Sequence, residues 1–157
     1  MHQTAREMFE AARDAAREAA RCRRLIDAER ERKHSLGGGG LGPRVSSTPD
    51  HDRMAARIAS ATDREAMLRR RLAECEAQVD AAGRVLYGAD GRGGLRSLVG
   101  WPADAIHLHY LALMTWVEAG EVLGYSEAHV RRMACAAMEY ADANGQTWTV
   151  LGRGMAT

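Results

Sequence analysis

The chain predicts an all-α protein: a long antiparallel helical hairpin, coiled-coil-like, followed by a three-helix helix-turn-helix domain. Two apolar seams at heptad spacing predict the hairpin. A cluster of caps, glycines and spaced apolar residues around position 120 predicts the second domain. Composition agrees, because the 157 residues are 46% hydrophobic but only 5% aromatic. Strands draw on aromatic and β-branched residues, so this balance favours helices.

The first hairpin helix is expected over 1–34. Thr4 and Glu7 fit the capping box S/T-x-x-E, in which each side chain satisfies the other residue's backbone N–H. Met8, Ala12, Ala15, Ala19, Cys22 and Ile26 then recur at alternating spacings of four and three, a seam flanked by charges. Residues 35–49, rich in Gly, Ser and Pro, read as a linker. Thr48 as N-cap and Pro49 at the first helical position restart a helix over 50–87. Its seam is Leu68, Leu72, Cys75, Val79, Ala82 and Leu86, extended upstream by Ile58 and Ala61. A second glycine-rich linker, 88–94, ends it.

If residues 34 and 51 face each other, Cys22 lies near Asp63 and Cys75 near Glu10. The two thiols are then ~18 Å apart along the axis, too far for a disulfide. Cys22 and Cys75 are therefore expected as core fillers. An Ala-rich hairpin buries little alone, so residues 8–86 are expected to form a homo-oligomer. The clusters Arg21, Arg23, Arg24 and Arg69, Arg70, Arg71 read as a solvated face or as contacts to phosphate.

Several classes are excluded by pattern. No apolar run approaches the roughly 20 residues of a membrane span, and the charged N-terminus is not a signal peptide, so a cytoplasmic protein is expected. No C-x-x-C occurs, and His107 and His109, two residues apart on a helix, face different ways, so no metal site is expected. No phosphate-cradling loop or nucleophile–base arrangement appears. No enzyme, no catalytic residue and no cofactor is therefore expected.

The third segment, 95–143, should hold helices at about 102–113, 116–123 and 127–142. Ile106, Tyr110 and Leu113, or alternatively Leu108 and Leu111, supply the buried face of the first. Thr115 and Glu118 form another capping box ahead of Trp116. Gly120 occupies the small position where two helices cross, and Gly124 the positive-φ turn. Ala119, Leu123 and Tyr125 are apolar positions before and within the turn, Val130 and Met133 those of the following helix, and Ser126 caps that helix. The tail, 144–157, is expected to pair as a short strand or dock Trp148.

The stretch W-V-E-A-G-E-V-L-G-Y-S-E-A-H-V-R-R-M resembles sigma-70 region 4. It is most similar to the small phage and prophage proteins that carry such a helix-turn-helix behind an N-terminal helical coil, the ArpU-like late transcriptional regulators. Gly120 stands where those proteins usually have Ala, and ACAAMEYADANG after Met133 lacks their usual cations. The resemblance covers about 104–139 and implies a DNA-binding regulator acting in a bacterial host cell. If the second helix enters the major groove, Ser126, Glu127, Ala128, Arg131 and Arg132 face the bases. Arg131 or Arg132 would take guanine while the other binds phosphate, and His129 would touch a phosphate or pack beside Trp116.

Charge opposes this reading. Residues 1–34 carry nine Lys/Arg against seven Asp/Glu, whereas 95–157 carry four Arg against six acids. The alternative is a non-enzymatic interaction protein whose partner is RNA polymerase or a packaging or defence component. A small terminase subunit is disfavoured by the order of its parts.

Overall fold

The computed structural model describes residues 3–37 and 48–144, and every regular element among them is helical. The helices are α1 (Ala5–Gly37), α2 (Thr48–Tyr87), α3 (Arg96–Val99), α4 (Pro102–Ile106), α5 (Trp116–Leu123) and α6 (Glu127–Ala143). A π-helical turn, His107–Leu111, follows α4 directly. No helix among the described residues is long and apolar enough to cross a membrane. Both hairpin helices are longer than expected: α1 continues past His34 to Gly37, and α2 begins at Thr48 rather than 50. Half-buried Leu36, a good helix former, carries the extra turn of α1. The remaining linker residues, 38–47, and the tail from 145, including Trp148, lie outside the described residues.

The chain divides into two compact units. One is Glu18–Glu74; the other joins the start of α1, through Arg17, to the chain from Cys75 onward.

In the Glu18–Glu74 unit the α1 seam is well buried: Ala19, Cys22 and Ile26 are each at most 5% exposed. From α2, Ala61 is buried and Leu68 and Leu72 are half-buried. Ion pairs mark which residues face each other. Arg64 Nε donates to Glu29 Oε1 at 3.1 Å, Arg71 Nε meets Glu18 Oε1 at 2.8 Å, and Lys33 binds Glu65. From the Glu29–Arg64 pair to the Glu18–Arg71 pair the partner climbs α2 as α1 is descended, so the two segments run antiparallel here. Cys22 lies between the Glu18–Arg71 and Glu29–Arg64 links. Its level on α2 therefore falls beyond Arg64, not at Asp63. Ile58, expected in the seam, is 37% exposed instead.

Glu65 takes the inward place. It is 7% exposed and is held by Lys33, by Arg69 Nη2 at 2.6 Å and by Arg30 Nε at 3.4 Å. A buried carboxylate without such partners would be strongly destabilising. The Lys33 hydrogen bond, opposed by burial and aided by Arg69, holds its pKa down to about 2. Of the expected arginine-cluster members, Arg21, Arg69 and Arg71 are committed to acids of their own unit.

In the other unit α1 begins as expected: Thr4 N–H donates to Glu7 Oε2 at 2.8 Å, and Glu7 N–H to Thr4 Oγ1 at 3.2 Å. Ala5 N–H, a further unpaired donor of that first turn, is taken by Asp142 Oδ1 of α6 at 2.7 Å. Phe9, with no exposed surface, enters one core with Leu86, Leu95, Ile106, Val130 and Met138. Residues 88–94 form a closed turn: Gly93 N–H bonds Tyr87 O at 2.8 Å and Leu95 N–H bonds Val85 O at 3.0 Å. Those two bonds bring α3 back beside the end of α2.

The expected helix over 102–113 is interrupted. After Ile106 the backbone widens, with Ala112 N–H bonding His107 O at 2.9 Å and Met114 N–H bonding Leu108 O at 2.9 Å. Leu113 then turns out of the helix with a left-handed φ of 63°, and is half-exposed rather than core. The wider turn lets sequence neighbours His109 and Tyr110 both point inward, at 7% and 6% exposure.

Candidate nucleic-acid interface

Helices α5 and α6 are joined by three residues whose conformations follow from their types. Thr115 and Glu118 make the capping box that starts α5, with Thr115 N–H on Glu118 Oε2 at 2.7 Å. Gly124 closes the helix at φ 77°, ψ 28°, a left-handed conformation that costs a residue with a Cβ roughly 1–2 kcal/mol. Gly124 N–H and Tyr125 N–H both bond Gly120 O, at 2.9 and 3.0 Å. Ser126 is extended and accepts His129 N–H at 3.3 Å, starting α6.

The crossing point is tight. A Cβ on Gly120 would lie 2.7 Å from Tyr125 O and 3.4 Å from Glu127 N, both backbone atoms. Gly120 is therefore required by the close approach of the turn. The turn is braced from outside by Trp101, stacked on Tyr125 with centroids 4.6 Å apart and planes 16° apart.

Of the expected scaffold positions, Ala119, Gly120 and Val130 are buried, and Trp116, Leu123 and Met133 are half-buried. Tyr125 is 46% exposed and serves as a lid on the turn rather than as core. The buried spine of α6 instead continues through Ala134, Ala137, Met138 and Ala141. Among the residues expected to face bases, Ser126, Glu127, Ala128, Arg131 and Arg132 are all exposed along one end of α6. His129 does not pack beside Trp116. Its ring lies 5.6 Å from Trp101 and 5.3 Å from Tyr125, and its Nδ1 meets Arg132 Nη2 at 3.1 Å.

The ring that stacks on Trp116 is His109, at 3.7 Å and 13°. Its Nδ1 lies 2.9 Å from Met114 O, which can only accept, so Nδ1 carries the proton. Nε2 is then an acceptor and receives Arg13 Nη1 at 2.6 Å. Burial first, and then the charge of Arg13, push the His109 pKa down to about 4, with Arg17 and Arg131 adding to the effect. Three guanidiniums thus act on one neutral imidazole.

Arg131 does not point away from α1. Together with Arg6, Arg13 and Arg17 it lines a cleft of about 390 Å³ whose floor includes His109 and Trp116. Two carboxylates, Glu10 and Asp14, share the cleft, and exposed Asp14 is paired with Arg17 at 3.6 Å. Arg6 reaches Cys135 Sγ of α6 at 3.5 Å. Arg13 Nε is buried without a hydrogen-bond partner, an uncommon state for a charged donor. Sequence separation hides the α1 arginines from this site. Their spacing, seven and then four residues, does place them on one helical face. Among the described residues no three His, Cys, Asp or Glu side chains group as metal ligands would. No protein-family model, no curated protein and no solved structure matches the chain.

Proposed function

We propose that the chain is a non-enzymatic DNA-binding protein that places α6 in the major groove and oligomerises through α1 and α2. In this reading α5, the turn and α6 form a helix-turn-helix of the sigma region 4 kind, and the protein is a phage or prophage transcriptional regulator. The observation that carries it is the joint between α5 and α6. A capping box, a glycine that admits no Cβ, a left-handed Gly124 and an N-cap Ser126 fix the pose of α6. The exposed Ser126, Glu127, Ala128, Arg131 and Arg132 are left at its leading end.

The charge objection weakens once α1 is considered. Arg6, Arg13 and Arg17 line a cleft with Arg131, so the field beside α6 is not set by residues 95–157 alone. Oligomerisation is supported by exposed Leu25, Met54, Ile58 and Met67 in the Glu18–Glu74 unit. A second reading, a protein-binding module, is favoured by exposed Val117 and Val122 on α5, at 51% and 61%. RNA polymerase is one such partner, and both readings place the protein in a bacterial cytoplasm.

The test is binding to short duplex DNA across a salt series, wild type against the Arg131→Ala/Arg132→Ala pair. Loss of affinity by at least tenfold is expected, since each phosphate or guanine contact is worth about 1–3 kcal/mol. Absence of binding at low salt, or a double variant equal to wild type, refutes the reading. Sedimentation of the full chain should show a dimer or larger; a monomer at tens of micromolar refutes the oligomer.

A further inference from the structure

The cleft between the start of α1 and α6 has a composition that its surroundings do not explain. Four arginines face it against two carboxylates, and one carboxylate is already spent on Arg17. Arg13 is not a loose surface side chain. It is half-buried, its Nη1 is fixed on His109 Nε2 at 2.6 Å, and its Nε has no acceptor. His109 in turn is fixed by Met114 O and by the Trp116 stack, so the guanidinium sits on a rigid support.

Arg13 is half-buried with an unpartnered Nε, and exposed Arg6, Arg17 and Arg131 crowd the same neutral imidazole, an arrangement that an anion in the cleft would relieve. Guanidiniums arriving from two helices suit an anion with acceptor oxygens on several sides. A tetrahedral phosphate meets that need better than a planar carboxylate. At about 390 Å³ the cleft is at the small end of the roughly 300–1,000 Å³ typical of ligand sites, with room for a phosphate and its sugar.

We propose that this cleft is a phosphate-binding site in which Arg6, Arg13 and Arg131 hold one phosphate group of a nucleic-acid backbone. The choice of a backbone as the source rests on the DNA-binding reading of α6; the phosphate chemistry of the cleft does not. Arg131 is shared by the cleft and the exposed face of α6. A duplex lying along α6 thereby presents its backbone to α1. The first helix then acts as a clamp on the strand beside the groove, reading no base and fixing the register of α6.

Two measurements on the full chain test this. In the first, inorganic phosphate is titrated at constant ionic strength while the arginine Nε–H signals are followed by NMR. The Arg13 signal should shift saturably, and matched chloride should leave it in place. In the second, mixed-sequence duplex DNA is bound over a salt series by wild type, Arg6→Met and Arg13→Met, with circular dichroism confirming that each variant is folded. Each variant should lose affinity equally for all sequences, and the log–log salt slope should fall by about 0.9 per lost phosphate contact. Arg6→Met serves if Arg13→Met does not fold.

Duplex bound with an unchanged slope in the folded variants overturns the backbone assignment and leaves the α6 reading intact. A saturable phosphate shift with no duplex bound at low salt overturns the α6 reading and leaves a site for a free phosphate compound. If no saturable shift and no change of slope is found, the site itself is overturned.

Discussion

Replacing Gly120 by alanine sets two effects of opposite sign against each other. Alanine is the better helix former by about 0.5–1 kcal/mol, so propensity alone predicts stabilisation. The new Cβ, however, would sit 2.7 Å from Tyr125 O and 3.4 Å from Glu127 N. Carbon and oxygen normally approach no closer than roughly 3.3 Å, so the turn must yield by about 0.6 Å. What must yield is backbone, tied by two hydrogen bonds to Gly120 O and braced by Trp101. Overpacking of this kind costs about 1–3 kcal/mol, so the net effect is a loss of about 1–2 kcal/mol. For a chain of this size that lowers Tm by roughly 2–8 °C. Gly83→Ala is the control, because Gly83 lies inside α2 and a Cβ there meets nothing within 4 Å. The same chemical change should raise Tm at position 83 and lower it at 120. Both variants are to be melted by circular dichroism or calorimetry at one pH. If Gly120→Ala is as stable as wild type, the close approach at the α5–α6 turn is not real.

Two further outcomes concern pH. His109 has its pKa lowered to about 4 by burial and by Arg13, so the neutral ring is favoured in the folded state. Its contribution to stability is full above the ordinary value of 6.5 and is lost as pH falls through about 4. An NMR titration should find the ring neutral down to that range, and Arg13→Met should raise the value; a midpoint near 6.5 in wild type contradicts the geometry. Glu65 has its pKa lowered to about 2 from 4.5, chiefly by Lys33, so its contribution is present above 4.5 and lost toward 2. Glu65→Gln should destabilise at neutral pH and flatten the acid side of the stability profile; an unchanged profile would show that Glu65 does not hold α1 to α2.

Local chemistry was readable from sequence, and tertiary proximity was not. Both capping boxes, the Ser126 cap and the left-handed Gly124 depend on residues within four positions, and each appears where its pattern stands. The α1 seam was readable for the same reason. The π-helical turn was not, because its apolar residues fit an ordinary helix and only the packing of His109 and Tyr110 reveals the extra width. Glu65 is not legible as an inward residue, because a carboxylate in a seam is acceptable only with Lys33 and Arg30 of α1 and Arg69 of α2 around it. Charge divided by sequence segment is the poorest guide to the cleft. Residues 95–157 are acidic, yet Arg131 shares its cleft with arginines more than a hundred positions earlier.

The hydrogen bond from Ala5 to Asp142 joins residues 137 positions apart. On a ribosome adding about 5–20 residues per second, roughly 7–27 s separate the emergence of these two partners. For most of that interval Phe9 has no complete core to enter, since Val130 and Met138 are still unmade. The contiguous Glu18–Glu74 stretch has all its own partners long before. The nascent chain therefore matures from its middle outward, with its oldest apolar residues the last to be covered. Chaperones and proteases have their best access to the first turns of α1 during that wait.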